Sequence, residues 1–166
     1  MPEIIPNIHP FFVHFPIALT ITCFMFLWLG YLFNKVGKYS LAKKCHNTSQ
    51  LLLWLLGIFT ILTIIAGFYA FYDVKLHNAP SHSAMVLHRN IAILCGFCIF
   101  VFIIWAIYLI KKKLFPSTFF IVLFSIPTIL VLLTGYLGAE LVFRHSIGVL
   151  KTSNPTVEMT MKSHDH

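Results

Sequence analysis

The sequence predicts an all-α integral membrane protein, a bundle of four membrane-spanning helices. Of its 166 residues, 58% are apolar and only 10% are charged, against about 25% charged in a typical soluble domain. A chain of this size cannot bury so much apolar surface in its own core, so the composition excludes a soluble enzyme, a disordered chain and a nucleic-acid-binding protein. The solvent for most of the chain is therefore lipid.

Four apolar runs are each long enough to cross a hydrocarbon core of about 30 Å as a helix. The runs are continuously apolar rather than alternating, which disfavours a β-barrel. Pro16 and Pro127 lie inside two of the runs and are expected to bend those helices. We expect one membrane domain, residues 1–150, followed by a polar flexible tail, residues 151–166. The predicted spans are residues 11–33, 51–72, 91–110 and 119–143.

The basic residues indicate how the spans are oriented. The formal net charge is +7, and the segments after the first and third spans hold lysines and no acid. These are Lys35, Lys38, Lys43, Lys44, Lys111, Lys112 and Lys113. By the positive-inside rule both segments are cytoplasmic, and both termini lie outside. The excess of basic residues thus reflects the topology of the spans. No folded soluble surface remains that could bind a nucleic acid.

This orientation places eight of the nine histidines at the outer face and His46 alone inside. His164 and His166 belong to the polar tail, and the other six fall into a repeat. HPFFVHFPIAL (9–19) opens the first span and HSAMVLHRNIAIL (82–94) opens the third, while GFYAFYDVKLH (67–77) and GYLGAELVFRH (135–145) end the second and fourth. We expect two repeated helical hairpins related by an axis along the membrane normal. The six histidines are His9, His14 and His77 in one hairpin, and His82, His88 and His145 in the other.

The spacing of these histidines favours a cofactor held between helices. Residues five or six apart on a helix point about 140° or 120° away from each other, so they cannot chelate one ion as residues three or four apart can. Single histidines from facing helices suit the axial ligation of a b-type haem in a four-helix bundle. We expect His14 and His88 to be the axial pair. A second pair, His77 with His145 or His9 with His82, would hold another haem or a bare metal ion.

Glu140 and Arg144 are four residues apart near the outer end of the last span, so they can pair along one face of the helix. An ionisable residue within a span is a candidate functional group. In the functional interpretation Arg144 binds an anion such as a haem propionate. Glu140 then accepts a hydrogen bond from a histidine or carries a proton. The alternative is an ion pair that only orients the helix.

Two strings in the sequence, NIHPFFVHFPIAL and GYLGAELVFRHSIGV, resemble an uncharacterised bacterial family of four-span membrane proteins, over residues 7–150. Its members open with His-Pro and Val-His-Phe-Pro and end on a Gly-Gly-Glu-Leu-Val-Tyr-Arg-His-Gly type of motif, and some are fused to a Rieske iron–sulfur domain. The chain departs from this ending at Ala139, Phe143 and Ser146 and has no Rieske domain of its own. The resemblance implies a bacterial inner-membrane protein associated with electron transfer. The residues on the family's motifs are His9, His14, Glu140, Arg144 and His145.

Two classes of function follow from these patterns. In the first, the protein is a small cytochrome b-like electron carrier with one or two haems, a component of a membrane oxidoreductase if it acts in an enzyme, and it exchanges electrons with a quinone or a periplasmic redox partner. In the second, the histidines and Glu140 form a non-haem site for copper, zinc or iron, or a path for proton or metal transport. A structural subunit of a larger membrane complex, or a homodimer, is a third interpretation.

The orientation can be tested by cysteine labelling. We expect a cysteine introduced at Thr152 to react with a membrane-impermeant maleimide added outside intact cells, because the lysine-poor ends of the spans face outward. Protection of Thr152→Cys in intact cells, together with labelling after the cells are opened, would reverse the assignment.

Overall fold

A computed structural model describes residues 8–73 and 79–147, and all its regular elements are helical. Four of its helical segments are long and apolar enough to cross a membrane. The first three are single helices, and the fourth is divided into a short helix and a long one. The helices are α1 (His9–Lys35), α2 (Tyr39–Asp73), α3 (Ala79–Lys111), α4 (Thr118–Leu123) and α5 (Ser125–His145). The all-α prediction is confirmed.

The helices extend well beyond the apolar runs that predicted them. α2 begins at Tyr39, so the expected long connection between the first two spans shrinks to residues 36–38. Gly37, with φ of 75°, adopts the left-handed conformation that ends a helix, and the Lys38 amide donates to the Phe33 carbonyl at 2.8 Å. α3 likewise begins at Ala79, ahead of the predicted span. Hydropathy detects only the stretch that meets lipid, whereas the helical backbone continues through polar residues into the interface.

The two prolines act differently. Pro127 lies just after the interruption between α4 and α5 at Phe124, as expected for a residue that cannot donate to the carbonyl four positions earlier and crowds it. Pro16 lies inside α1, which remains continuous. Its missing amide leaves the Phe12 carbonyl without an intrahelical donor, and the Thr63 hydroxyl of α2 lies 3.1 Å from that oxygen. The Thr63 hydroxyl shares its one proton between this oxygen and the Phe59 carbonyl of its own helix, 2.7 Å away, so the neighbouring helix replaces part of the hydrogen bond that the proline removes.

Each long helix packs against two neighbours. α1 contacts α2 and α5, and α3 also contacts α2 and α5, so α1 and α3 face each other diagonally across the bundle axis. The start of α1 and the end of α5 lie at one end of the bundle, called the histidine end. The seven lysines named above lie at the other, the lysine end. Phe102, Phe120 and Phe124 fill the core of the lysine-end half together with Leu27 and Leu53.

Burial supports the expected repeat of two hairpins. The buried residues of α1 recur in α3 at an offset of 79: Pro16, Thr20, Cys23 and Leu27 match Cys95, Ile99, Phe102 and Ala106. Five buried residues in the middle of α2 recur in the fourth span at an offset of 71: Ser49, Leu53, Leu56, Gly57 and Thr60 match Phe120, Phe124, Pro127, Thr128 and Val131. The same positions of each hairpin therefore face the core.

These two offsets correct the alignment of the hairpins that the histidine-containing segments of the sequence indicated. His9 is equivalent to His88, and not to His82. Likewise Gly67 is equivalent to Gly138, and not to Gly135. The string alignment matched histidine to histidine, whereas packing aligns the faces that are buried. The position equivalent to His14 is Ile93, and both residues are exposed at the bundle surface.

Candidate functional site

A pair of histidines lies near the axis of the bundle at the histidine end. The rings of His9 on α1 and His88 on α3 have their centroids 6.3 Å apart and their planes at 82°. Because α1 and α3 are diagonal helices, their side chains can meet only in the middle of the bundle. The structure therefore brings together two equivalent positions of the two hairpins, called here the histidine pair.

Each ring of the histidine pair packs directly against a glycine, called here its glycine seat. A Cβ added at Gly67 of α2 would lie 2.9 Å from Cε1 of His9, and one added at Gly138 of α5 would lie 3.3 Å from Cε1 of His88. Such distances are shorter than a normal carbon–carbon contact of about 3.5 Å or more. Only a residue without a side chain lets the imidazole approach the helix backbone so closely.

A threonine precedes each of these glycines by four residues. The hydroxyl of Thr63 donates to the carbonyl of Phe59 at 2.7 Å, and that of Thr134 donates to the carbonyl of Leu130, also at 2.7 Å. In a helix the carbonyl of residue i lies beside residue i+4. A glycine at i+4 therefore leaves the threonine carbonyl open to a side chain from another helix.

His9 uses this opening. Its Nδ1 lies 3.2 Å from the carbonyl oxygen of Thr63, so Nδ1 carries the proton and donates it to this bond. A carbonyl accepts only, and the bond therefore selects the tautomer whose Nε2 keeps a lone pair. Thr63 also bonds the carbonyl freed by Pro16, which fixes α1 against α2 at the level of the ring. His9 is thus oriented as a metal-binding histidine commonly is.

His88 differs from His9. Its Nδ1 is buried and has no hydrogen-bond partner within the described part of the chain. The backbone of Thr134 lies close to the ring, but no hydrogen bond of normal geometry reaches Nδ1. A buried polar atom without a partner calls for an explanation, such as a water, an ion or a functional role.

His14 is not part of this pair. It is exposed on α1, turned about 140° from His9 as a five-residue spacing requires. The geometry therefore replaces the predicted pairing of His14 with His88 by one of His9 with His88. His77 lies outside the described residues, so the pairing of His77 with His145 has no structural counterpart. His82 is exposed and lies beside the ring of Phe71 with centroids 6.4 Å apart.

The remaining predicted residues lie along α3 and α5. The Nδ1 of His145 is 3.4 Å from the hydroxyl of buried Ser81, two turns beyond the contact between His88 and Gly138. Arg144 pairs with Glu140 at 3.1 Å, with 73% of the arginine side chain and 26% of the glutamate side chain exposed. Glu140 and His145 line an open groove of about 380 Å³ on the outside of the pair of helices, together with Ser83, Ala84, Leu87 and Leu137.

Within residues 8–73 and 79–147 the histidine pair has no third protein ligand beside it. Among the described residues no group of three or more His, Cys, Asp or Glu side chains could hold a metal ion. A tetrahedral zinc site, which needs four ligands or three with a water, is therefore not built by the described chain alone.

The comparison with protein families agrees with the fold. A family model described as a predicted membrane protein, DUF2231, matches residues 5–151. The chain belongs to this family. It is a membrane protein with four spans, and its contact with lipid follows from that. No match to the chain was found among curated proteins or among solved structures. The function of this DUF2231 protein must therefore be argued from its own site.

Sequence reasoning missed the seats of the rings. The pattern Thr-x-x-x-Gly occurs at residues 63–67 and 134–138, and it was the available signal for the true register of the repeat. It also missed His46, which was set aside as the one histidine of the lysine end. That ring is only 4% exposed and is seated on Gly30, where an added Cβ would lie 2.9 Å from its Cε1.

Substitution of the glycine seat tests its role. We expect Gly67→Ala to destabilise the protein by about 1–3 kcal/mol, the usual cost of overpacking a close-packed interior, because the imidazole is held by a hydrogen bond and cannot retreat. Gly57→Ala is the matched control on the same helix, since its Cβ would meet the mobile Cδ1 of Ile103, also at 2.9 Å. Unfolding in detergent micelles measures the loss of stability in both variants. Equal losses for the two substitutions would contradict the close packing of His9 against Gly67.

Proposed function

We propose that the protein is a membrane electron carrier in which His9 and His88 would hold one b-type haem by its iron. The observation that carries this proposal is the histidine pair, two rings from diagonal helices whose centroids are 6.3 Å apart. Axial ligation of haem in a helical bundle uses single histidines on facing helices.

The spacing of the pair supports ligands on opposite sides of one metal. Two metal–nitrogen bonds of about 2 Å, with about 1 Å from each nitrogen to the centre of its ring, separate ring centroids by about 6 Å when the ligands are opposite. A tetrahedral angle at the metal would bring the centroids to about 5 Å. The angle of 82° between the planes is compatible with two imidazoles rotated about a common axis.

The donor set also favours haem over a bare ion. Two imidazoles leave most metals short of ligands, whereas a porphyrin supplies four nitrogens of its own. The Thr63 carbonyl orients the ring of His9 through its Nδ1, and Gly67 and Gly138 bring both rings close to the backbones of α2 and α5. When bound, haem iron would supply one-electron transfer between its ferric and ferrous states.

The role predicted for Arg144 passes to another arginine. Arg144 is already paired with the Glu140 carboxylate, whereas the guanidinium of Arg89 donates to the neutral Oδ1 of Asn90. Arg89 follows His88 directly, and its guanidinium lies 4.8 Å from the centre of the Phe71 ring. We therefore assign Arg89 as the cation for a haem propionate, with Arg144 and Glu140 as an ion pair on the outside of α5.

The membrane setting is part of the proposal. The lysine end would face the cytoplasm of a bacterium and the histidine end the periplasm, in accord with the positive-inside rule. The histidine pair would then exchange electrons near the outer face, with a quinone or a periplasmic protein as partner.

An absorption spectrum with matched variants tests the ligands. We expect purified protein to show a Soret band that is lost in His9→Ala and in His88→Ala, because each removes an axial ligand. His14→Ala should keep the band, since that residue is exposed on the same helix. A band lost with His14 and kept without His9 would contradict the proposed pair.

A second variant separates ligation from folding. His88→Met should retain haem with a raised reduction potential, as methionine ligation raises it in cytochromes c. Two-coordinate copper(I) fits the same opposite geometry, so metal analysis accompanies the spectrum. Colourless protein that contains one copper per chain, sensitive to the same two substitutions, would replace haem by copper. Colourless, metal-free protein after haem and copper supplementation would overturn both.

A further inference from the structure

Four buried polar atoms in the bundle have no hydrogen-bond partner within the described part of the chain. They are Oγ1 of Thr20, Nδ1 of His46, Oγ1 of Thr60 and Nδ1 of His88. An unpaired polar atom is costly in water-free surroundings, and in a membrane no outside solvent can compensate it. Internal water is the usual partner of such atoms.

These atoms are distributed across the whole depth of the membrane. α1 and α2 contact each other through a histidine and a glycine at both ends: His9 packs against Gly67, and Gly30 against His46. In each helix the two contacting residues are 21 positions apart. At 1.5 Å per residue the contacts are about 31 Å apart, close to the thickness of the hydrocarbon core. Thr60 and Thr20 lie about 10 Å and 16 Å below the histidine pair on the same scale.

Two further polar residues occupy the gap between Thr20 and His46. Cys23 is completely buried, and its Sγ lies 3.5 Å from the carbonyl of Ser49. The Ser49 hydroxyl in turn donates to the carbonyl of His46 at 2.8 Å. A cavity of about 10 Å³ borders Ser49, about the volume that holds one water.

The sequence of polar groups belongs to the first hairpin only. The positions equivalent to Thr20, Cys23 and Thr60 are Ile99, Phe102 and Val131, and the position equivalent to Ser49 is Phe120. The second hairpin therefore packs the same core positions with apolar side chains. The two hairpins thus differ in polarity at these four positions, whereas at the position of Gly57 the second hairpin has the buried Thr128.

We propose that the first hairpin conducts protons across the membrane along a hydrated path. The path runs from His46 at the lysine end, past Ser49, Cys23, Thr20 and Thr60, to the level of the histidine pair. Water molecules held by these side chains pass the proton from one to the next, and each water that accepts a proton releases another. One proton taken up at one end is therefore matched by one released at the other, without net chemistry.

The lysine-end mouth of this path favours protons over other cations. His46 lies between Gly30 of α1 and the ring of Phe115, whose centroid is 5.0 Å from that of the imidazole. Residues 31–50 and 109–126 contain lysines and no Asp or Glu, so no carboxylate attracts a metal ion. An imidazole can accept a proton on one nitrogen and release one from the other.

Proton flux into liposomes tests the path. Full-length protein is reconstituted with a pH-sensitive dye inside, and a potassium diffusion potential drives protons inward. We expect the proton flux to be well above that of protein-free liposomes. Thr20→Val, Thr60→Val and His46→Ala should each lower it about tenfold, because each removes a polar group that holds water in the path. Thr20→Ser should restore the flux, since it returns the hydroxyl.

Thr128→Val is the matched control. Thr128 is a buried threonine of the second hairpin, and its hydroxyl already donates to the Phe124 carbonyl at 2.8 Å. Its variant should conduct like the unchanged protein. The path is refuted if unchanged protein conducts no faster than protein-free liposomes, or if Thr128→Val lowers the flux as much as Thr20→Val. The spectrum of the histidine pair is a separate readout, so loss of the haem proposal leaves this one standing.

Discussion

The hydrogen bonds around Thr63 determine how the first hairpin is assembled. In lipid every polar backbone group needs a partner inside the protein, and Pro16 leaves the Phe12 carbonyl without one. The Thr63 hydroxyl supplies one, although it shares its proton with the Phe59 carbonyl. The Thr63 carbonyl accepts from His9 because Gly67 leaves that oxygen open. One residue of α2 thus compensates a proline, orients an imidazole and fixes the register of α1. The position of the histidine pair depends on this arrangement.

In the second hairpin His88 also packs against a glycine, but it lacks the hydrogen bond that His9 makes. Gly138 and Thr134 repeat the pattern of Gly67 and Thr63, yet Nδ1 of His88 has no partner among the described residues. Cys95 stands at the position of Pro16, so α3 frees no carbonyl there for a threonine to bind. The helix is then held mainly by apolar contacts such as those of Ile99 and Phe102. The two hairpins therefore have similar backbones, but among the described residues a hydrogen bond fixes Nδ1 of His9 and none fixes Nδ1 of His88.

Composition was sufficient for the four spans, because an apolar run of about 20 residues has few other uses. The ends of the helices were less predictable, since Ser, His and Arg continue a helix without any hydropathy signal. The structure brings His9 rather than His14 beside His88, because the string alignment compared residue types, whereas packing depends on which faces are buried. The face of α1 that holds Pro16, Thr20 and Cys23 also holds His9 by helical periodicity, so this part could have been read from the sequence. The openings made by Gly67 and Gly138 could not, because they depend on the distance between two helices.

The asymmetry between the hairpins connects the two proposals. An electron that enters a site in low-dielectric surroundings adds a charge whose cost is large unless a proton or a counter-ion compensates it. The line of polar side chains reaches the histidine pair from the α1–α2 side, where Thr60 lies below Thr63, whereas the second hairpin has Val131 at the position of Thr60. Charge compensation from the lysine end would therefore reach the pair through the first hairpin.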